Sequence, residues 1–249
     1  MKRILEICID SVDSAIIAER AGADRVELCD NLYEGGTTPS AGTIRQVRKN
    51  LKILLNVIIR PRGGDFLYSN SEMEIMKEDI RIAAGEGADG IVLGVLSADG
   101  QVDISGTAEL LEIAAPLPVT FHRAFDMTSD PFSALEDIIG CGAKIILTSG
   151  HSNLAVHNTA LLKKLVEKAG NRIAIMPGSG INENNIAGII NETGAQQFHL
   201  TGRSVTNSKM RFRKNDIFMG GVAGLSEFER KVADEQKIRK IRDIIDSYE

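Results

Sequence analysis

The sequence predicts an α/β fold, a single-domain TIM (β/α)8 barrel, and three observations carry that expectation. Eight short runs rich in β-branched residues recur along the 249 residues, with helix-patterned segments between them. Uninterrupted strand–helix alternation calls for a parallel sheet with helices packed on it. Glycine recurs at matching positions, in Gly22-Ala23, Gly87-Ala88, Gly142-Ala143 and Gly194-Ala195, each where a helix gives way to the second, fourth, sixth or eighth strand. A glycine just past a helix end adopts the left-handed backbone that closes the helix, so the chain counts in pairs of βα units. Finally, Cys8-Ile9-Asp10-Ser11 carries no glycine-rich dinucleotide fingerprint after the first strand, which disfavours the competing doubly wound sheet.

The elements follow in order. The strand Ile4–Ile9 puts Leu5, Ile7 and Ile9 on one face and Glu6 and Cys8 on the other, because strand side chains alternate with period two. Ser11–Ala21 follows, with Val12, Ala15, Ile16 and Glu19 at helical spacing. Arg25–Leu28 repeats the first pattern, with Val26 and Leu28 opposite Glu27 and the adjoining Cys29. The remaining strands are expected at Ile53–Ile59, Gly90–Leu93, Val119–His122, Lys144–Leu147, Arg172–Met176 and Gln197–Leu200. Between them, helical spacing fills Ala41–Lys49, Ser71–Glu86, Ile104–Ala114, Pro131–Ile139, Val156–Lys168 and Glu183–Glu192. Phe228, Val232, Ile238, Ile241, Ile244 and Ile245 suggest a last helix, so the expected plan is a barrel over about 1–204, an irregular segment 205–225 and a C-terminal helix over 226–247.

A net charge of −5 argues against a nucleic-acid partner, and the basic cluster Lys209–Lys214 reads as a solvated loop. The amino terminus enters a strand directly after Met1-Lys2-Arg3, without the apolar stretch of a signal peptide. No run approaches the roughly 18 apolar residues of a membrane span. Three cysteines, Cys8, Cys29 and Cys141, make no disulfide framework and suit a reducing compartment, so a soluble cytoplasmic protein is expected.

In a TIM barrel the chemistry gathers where the strands end and the βα loops begin. Placing the apolar alternates outward leaves Glu6, Glu27, Asn56, Arg60, Thr120, His122 and His199 inward. Charges there need partners, so Glu6 and Glu27 are expected to pair with Arg60 or a histidine. Glu6, Glu27, Arg60 and His122 are the candidate catalytic groups. Glycine-rich turns after the seventh and eighth strands offer backbone N–H groups to an anion, which makes Gly178, Ser179, Gly180, Thr201 and Gly202, with Arg62, candidates for a phosphate or other small anion. Ordinary tight turns, with Asn182 capping a helix, account for the same glycines. Cys8 and Cys29, on neighbouring strands about 4.8 Å apart, could present two sulfurs to one soft ion such as Cu(I). Barrel stagger could equally set the sulfurs at different heights and leave two small buried hydrophobes.

Several long blocks bear on this choice. Glu27-Leu-Cys-Asp-Asn31 with Glu34–Ser40, Ile59–Phe66, Thr120–Asp126, Leu147–Gly150 and Ile175–Gly178 resemble the signature blocks of the CutC family, proteins named for copper homeostasis. The resemblance runs from the first strand to about Gly221. It implies a cytoplasmic TIM barrel, often a homodimer, associated with copper tolerance and Cu(I) binding, with Cys8 and Cys29 at the positions of the family's proposed copper ligands. Two departures stand out: Ser179 where members often carry a further glycine, and His151 in place of a common glycine. Beside copper binding, the residues support an alternative, a TIM-barrel enzyme acting on a small anionic or phosphorylated metabolite, with His122 or Glu27 moving a proton.

Overall fold

Alternation of apolar side chains closes the eight expected runs into parallel strands: β1 (Ile4–Ile9), β2 (Arg25–Leu28), β3 (Leu54–Ile58), β4 (Gly90–Leu93), β5 (Val119–Phe121), β6 (Ile145–Thr148), β7 (Ala174–Pro177) and β8 (Gln197–Leu200). The computed structural model describes residues 2–214, 216–217, 219 and 226–248. Hydrogen-bonded ladders join the strands consecutively from β1 to β7, and β8 pairs in parallel with β1. With β7 beside β8, the sheet is a nearly closed TIM barrel. Among the described residues no helix is long and apolar enough to cross a membrane.

The helices that alternate with these strands are α1 (Val12–Arg20), α2 (Ala41–Asn50), α3 (Asn70–Gly85), α4 (Ile104–Ala114), α5 (Pro131–Cys141), α6 (Thr159–Ala169) and α7 (Ile186–Thr193). Side-chain oxygens of Ser11, Ser40, Ser69, Asp103, Asp130 and Asn158 cap the first six. Each such cap contributes about 1 kcal/mol and sets where its helix starts. That is why α6 begins at Thr159 rather than Val156. Likewise α7 begins at Ile186 rather than Glu183, because Asn182 and Asn185 are taken up in a turn, Asn185 receiving the Asn182 N–H at 2.9 Å. The outer strand faces, including Leu5, Ile7, Val26, Leu28, Leu55 and Val57, pack on Ala15, Ala18, Ile44, Val47, Met76 and Ile80 of the helices. Burying a large aliphatic side chain contributes about 1.5–3 kcal/mol, so this shell is the main source of stability.

The expected helix over 226–247 is corrected. Glu229–Ala233 is a strand, β10, paired antiparallel with β9 (Arg203–Asn207), and helix α8 spans only Glu235–Asp246. Asp234 is the reason: its extended backbone cannot continue a helix, while its carboxylate accepts from Gln236 N and Lys237 N and starts one. The Asp234 N–H also bonds Gly202 O at 2.8 Å, tying the hairpin to the end of β8. Lys209–Lys214 is exposed on the excursion beyond β9, with Arg213 stacked over Phe228 at 4.4 Å.

His151 and Ser179 both sit in the left-handed backbone region, with φ of 55° and 77°. The two departures from the resembling family blocks are thus both places where glycine would be unstrained, as is Asn31 at φ 44°. A left-handed non-glycine residue costs about 1–2 kcal/mol, partly offset by the greater unfolded-state freedom of glycine. Ser179→Gly is therefore expected to raise stability by up to about 1 kcal/mol in urea unfolding, even though it gives up the Ser179 Oγ bond to Asn153 O.

Candidate functional site

Strand register builds a polar column inside the barrel. Glu6 stands level with Arg25 on one side and His199 on the other, and Cys8 stands level with Glu27. The Glu6 carboxylate, only 1% exposed, accepts from Arg25 Nε, from His199 Nδ1 at 2.8 Å and from Asn56 Nδ2 at 3.3 Å. Arg25 in turn donates to Gln197 Oε1 at 3.0 Å. The expectation that a histidine would answer the glutamates holds, since His199 bonds Glu6 and its Nε2 lies 3.5 Å from Glu27. Arg60 does not. Its guanidinium donates to the carbonyls of Glu34, Gly36 and Gly64 at 2.7–2.8 Å and lies over Phe66, so it ties two loops together. The partner that sequence reasoning missed is Arg25. It stands two residues before Glu27 on the same strand face, and that period-two relation was the available signal.

One step up the column, Cys8 Sγ and Cys29 Sγ are 3.7 Å apart, and both side chains are buried. Gly36 makes the approach possible: a Cβ there would come within 3.3 Å of the Cys29 sulfur, and its φ of 96° suits only glycine. Ligand atoms of Cys8, Glu27 and His199 lie within 4.8 Å of one another. Above them opens a cavity of about 260 Å³ at the carboxyl ends of the strands. Its walls include Ile58, Arg60, Phe66, His122 and Leu147, and Arg123 and Asp126 stand at its rim. Asp126 is itself satisfied by Thr148, Ser149, the His151 N–H and Arg123.

The column perturbs its own protonation. Burial alone would raise the Glu6 carboxyl, but Arg25 and His199 outweigh it and bring it to about 2. The hydrogen bond with Cys29, working against burial and helped by His199, lowers the Cys8 thiol to about 5. The same contact, with burial, pushes Cys29 up. Burial raises Glu27 well above the carboxylate range, and the charges of Cys8 and Glu6 push the same way. Burial would lower His199, yet Glu27, Cys8 and Glu6 together hold it well above its usual value. These directions leave Glu6 held as the carboxylate by Arg25 and His199, and Cys8 the more acidic of the two thiols.

Of the candidate catalytic groups, Glu27, Arg60 and His122 line the cavity, and Glu6 lies beneath it. Thr120 is buried within the barrel at β5. Among the described residues, Arg62, Gly178, Ser179, Gly180, Thr201 and Gly202 are not part of its walls. The Arg62 guanidinium is engaged by Glu72 and Asp65. The Gly178 N–H bonds Thr148 O, and a Cβ at Gly178 would press on Leu147 and His199, so this glycine makes room for the column. Cys141 is half-buried at the end of α5, away from the column.

A barrel with buried thiols, an imidazole and carboxylates converging below an open mouth defines a class: a TIM barrel with a buried polar column opening at its carboxyl-terminal face. The chain belongs to the CutC family, whose model matches residues 3–204. It is 48% identical over 241 residues to the human protein named copper homeostasis protein cutC homolog, covering 97% of this chain and 88% of that one. It is 46% identical to a CutC family protein of Chromobacterium violaceum, covering 99% of each. The crystal structure of a CutC protein from Streptococcus agalactiae superposes with a TM-score of 0.76 at 39% identity, covering 80% of this chain and 98% of that one. Phosphoribosylanthranilate isomerase of Thermotoga maritima matches with a TM-score of 0.59 at 14% identity, over 99% of this chain and 100% of that one, a likeness of fold alone.

Glu6→Gln is expected to cost about 3–5 kcal/mol, because it leaves Arg25 and His199 buried without their counter-charge. Urea unfolding at neutral pH measures it. Since the folded Glu6 carboxyl is depressed, its contribution is complete above about 4.5 and is lost as pH falls through about 2. Stability of the native protein should therefore fall across that window more steeply than stability of Glu6→Gln.

Proposed function

We propose that the chain is a copper homeostasis protein that holds Cu(I) as cargo between Cys8 and Cys29, with His199 Nε2 as a third donor. The observation that carries this reading is the 3.7 Å separation of two buried sulfurs, of which Cys8 lines an open cavity. Two sulfurs that close can both reach one ion at metal–sulfur distances of about 2.3 Å. Thiolates and an imidazole are soft enough to select Cu(I) over the hard cations that oxygen ligands favour. The histidine is already oriented for the task, because Nδ1 bonds Glu6 at 2.8 Å, the carboxylate–histidine arrangement that directs Nε2 toward a metal.

In this reading binding proceeds through proton loss. The Cys8 thiolate is available first, and Cys29 and His199 Nε2 release their protons as the cation's charge replaces them. Glu6 and Arg25 stay in place and hold the imidazole. The surrounding Ile58 and Val92 keep water from the sulfurs, which limits oxidation. The cytoplasm, where thiols remain reduced, is the compartment this chemistry suits. The names of the human and mouse relatives support a copper role for the family.

Anaerobic titration with Cu(I) against a competing chelator is expected to give one tight site per chain. Cys8→Ser combined with Cys29→Ser should weaken it by at least about 100-fold, and His199→Ala by about 10- to 100-fold. Unchanged affinity in the double cysteine variant would remove the assignment.

A further inference from the structure

A single copper ion does not account for the space above it or for the group that faces that space. The cavity of about 260 Å³ is equivalent to roughly nine water volumes. On its wall stands His122, 5% exposed. The Ala124 N–H donates to His122 Nδ1 at 3.2 Å. A backbone amide can only donate, so Nδ1 bears the lone pair and the ring proton sits on Nε2. That Nε2–H is buried and, among the described residues, has no hydrogen-bond partner. Leaving a buried donor unsatisfied costs about 1–3 kcal/mol, and the rest of the structure holds the ring there nonetheless. Gly94 clears its place, since a Cβ would come within 2.6 Å of Nδ1, and Phe66 packs on the ring with centroids 5.1 Å apart.

The electrostatics say what would satisfy this donor. Burial and then the charge of Arg60 lower His122 to about 3, so it stays neutral and donates through a single N–H. Arg60 stands at the cavity as a cation, Arg123 and Asp126 are paired with each other, and the wall residue Glu27 lies 3.5 Å from His199 Nε2. Glu34 at the loop contributes the carbonyl that holds Arg60, and its carboxylate accepts from Asn31 Nδ2. Phe66, Ile58, Leu147 and Met127 make much of the remaining wall apolar. A neutral N–H donor, nearby guanidinium charge and apolar walls suit an anionic oxygen carried on a small carbon skeleton.

We propose that this cavity is a binding site for a small organic carboxylate of up to about nine non-hydrogen atoms, one oxygen of which accepts from His122 Nε2–H. The recognition group, His122, follows β5 and is distinct from the thiols, with Cys8 lining another part of the same cavity. His122 is a ligand-binding residue here, and the charge of Arg60 draws the carboxylate toward it.

The test uses the full chain, metal-free, labelled with ¹⁵N at histidine, with pyruvate, benzoate and inorganic phosphate as probes. Before any probe is added, His122 should report the Nε2–H tautomer. Pyruvate or benzoate is expected to shift the His122 Nε2 resonance saturably, with Kd of about 1 mM or tighter. His122→Phe, which keeps a ring against Phe66 but removes the donor, should weaken binding by about 10- to 100-fold with an unchanged circular dichroism spectrum. If that variant does not fold, the tautomer and shift in the native protein decide alone. Using the metal-free protein makes the shift report the carboxylate and not copper. No Nε2 shift with either carboxylate, a shift with phosphate alone, or undiminished binding by folded His122→Phe would overturn the proposal.

Discussion

The Glu6 carboxylate is the constraint on which the interior depends. A charge buried in a barrel is tolerated only when every side of it is answered, and here Arg25, Asn56 and His199 answer it from β2, β3 and β8. Those strands flank β1 on both sides, so one carboxylate holds the register of four adjacent strands. A slip by one residue would turn Glu6 into the aliphatic shell and Leu5 or Ile7 into the polar column. The same bonds orient His199 and thereby set the electrostatic surroundings of Cys8 and Glu27. Stability and chemistry share the group, which is why the polar column is continuous rather than confined to the mouth.

Above that column the molecule separates two kinds of demand. The thiol pair lies low, close-packed with Ile58 and Val92 and covered by the Gly35-Gly36 turn. The open volume lies higher, bounded by side chains from β3 and β5 and the loops after them, with Arg60 fixing the loop after β2 to the loop after β3 through three carbonyls. Both parts meet at Cys8, Glu27 and His199, which face the cavity floor.

Much of the architecture was legible from pattern. Strand periodicity located all eight barrel strands, and the four recurrent glycines, with φ between 70° and 95°, do close helices as their positions implied. The C-terminal segment misled because Phe228 and Val232 fit a heptad as well as a strand, and only Asp234, read as a cap, would have stopped the helix in the right place. In the site, alternation named Glu6, Glu27, Asn56, Thr120, His122 and His199 as inward, and all are buried. Alternation also pointed Arg60 inward, yet it could not say that backbone carbonyls, rather than a glutamate, would take its hydrogen bonds. Nor could it rank Arg25, whose importance comes from strand pairing with Glu6.

What the sequence by itself determined is the set of local choices: which runs are strands, which face of each is polar, where glycine and capping residues punctuate the chain, and the family to which the signature blocks belong. These follow from periods of two and 3.6 residues and from backbone preferences, which are properties of short segments. Tertiary structure decided the rest. The 3.7 Å approach of Cys8 to Cys29 depends on the stagger of β1 against β2 and on Gly36 crossing over the sulfur. The His122 Nε2–H, unpartnered among the described residues, depends on Gly94 just after β4 and Ala124 in the loop after β5 fixing the ring. Distances and unsatisfied donors arise only when residues far apart in the chain are brought together, because they are set by barrel closure and not by any one segment.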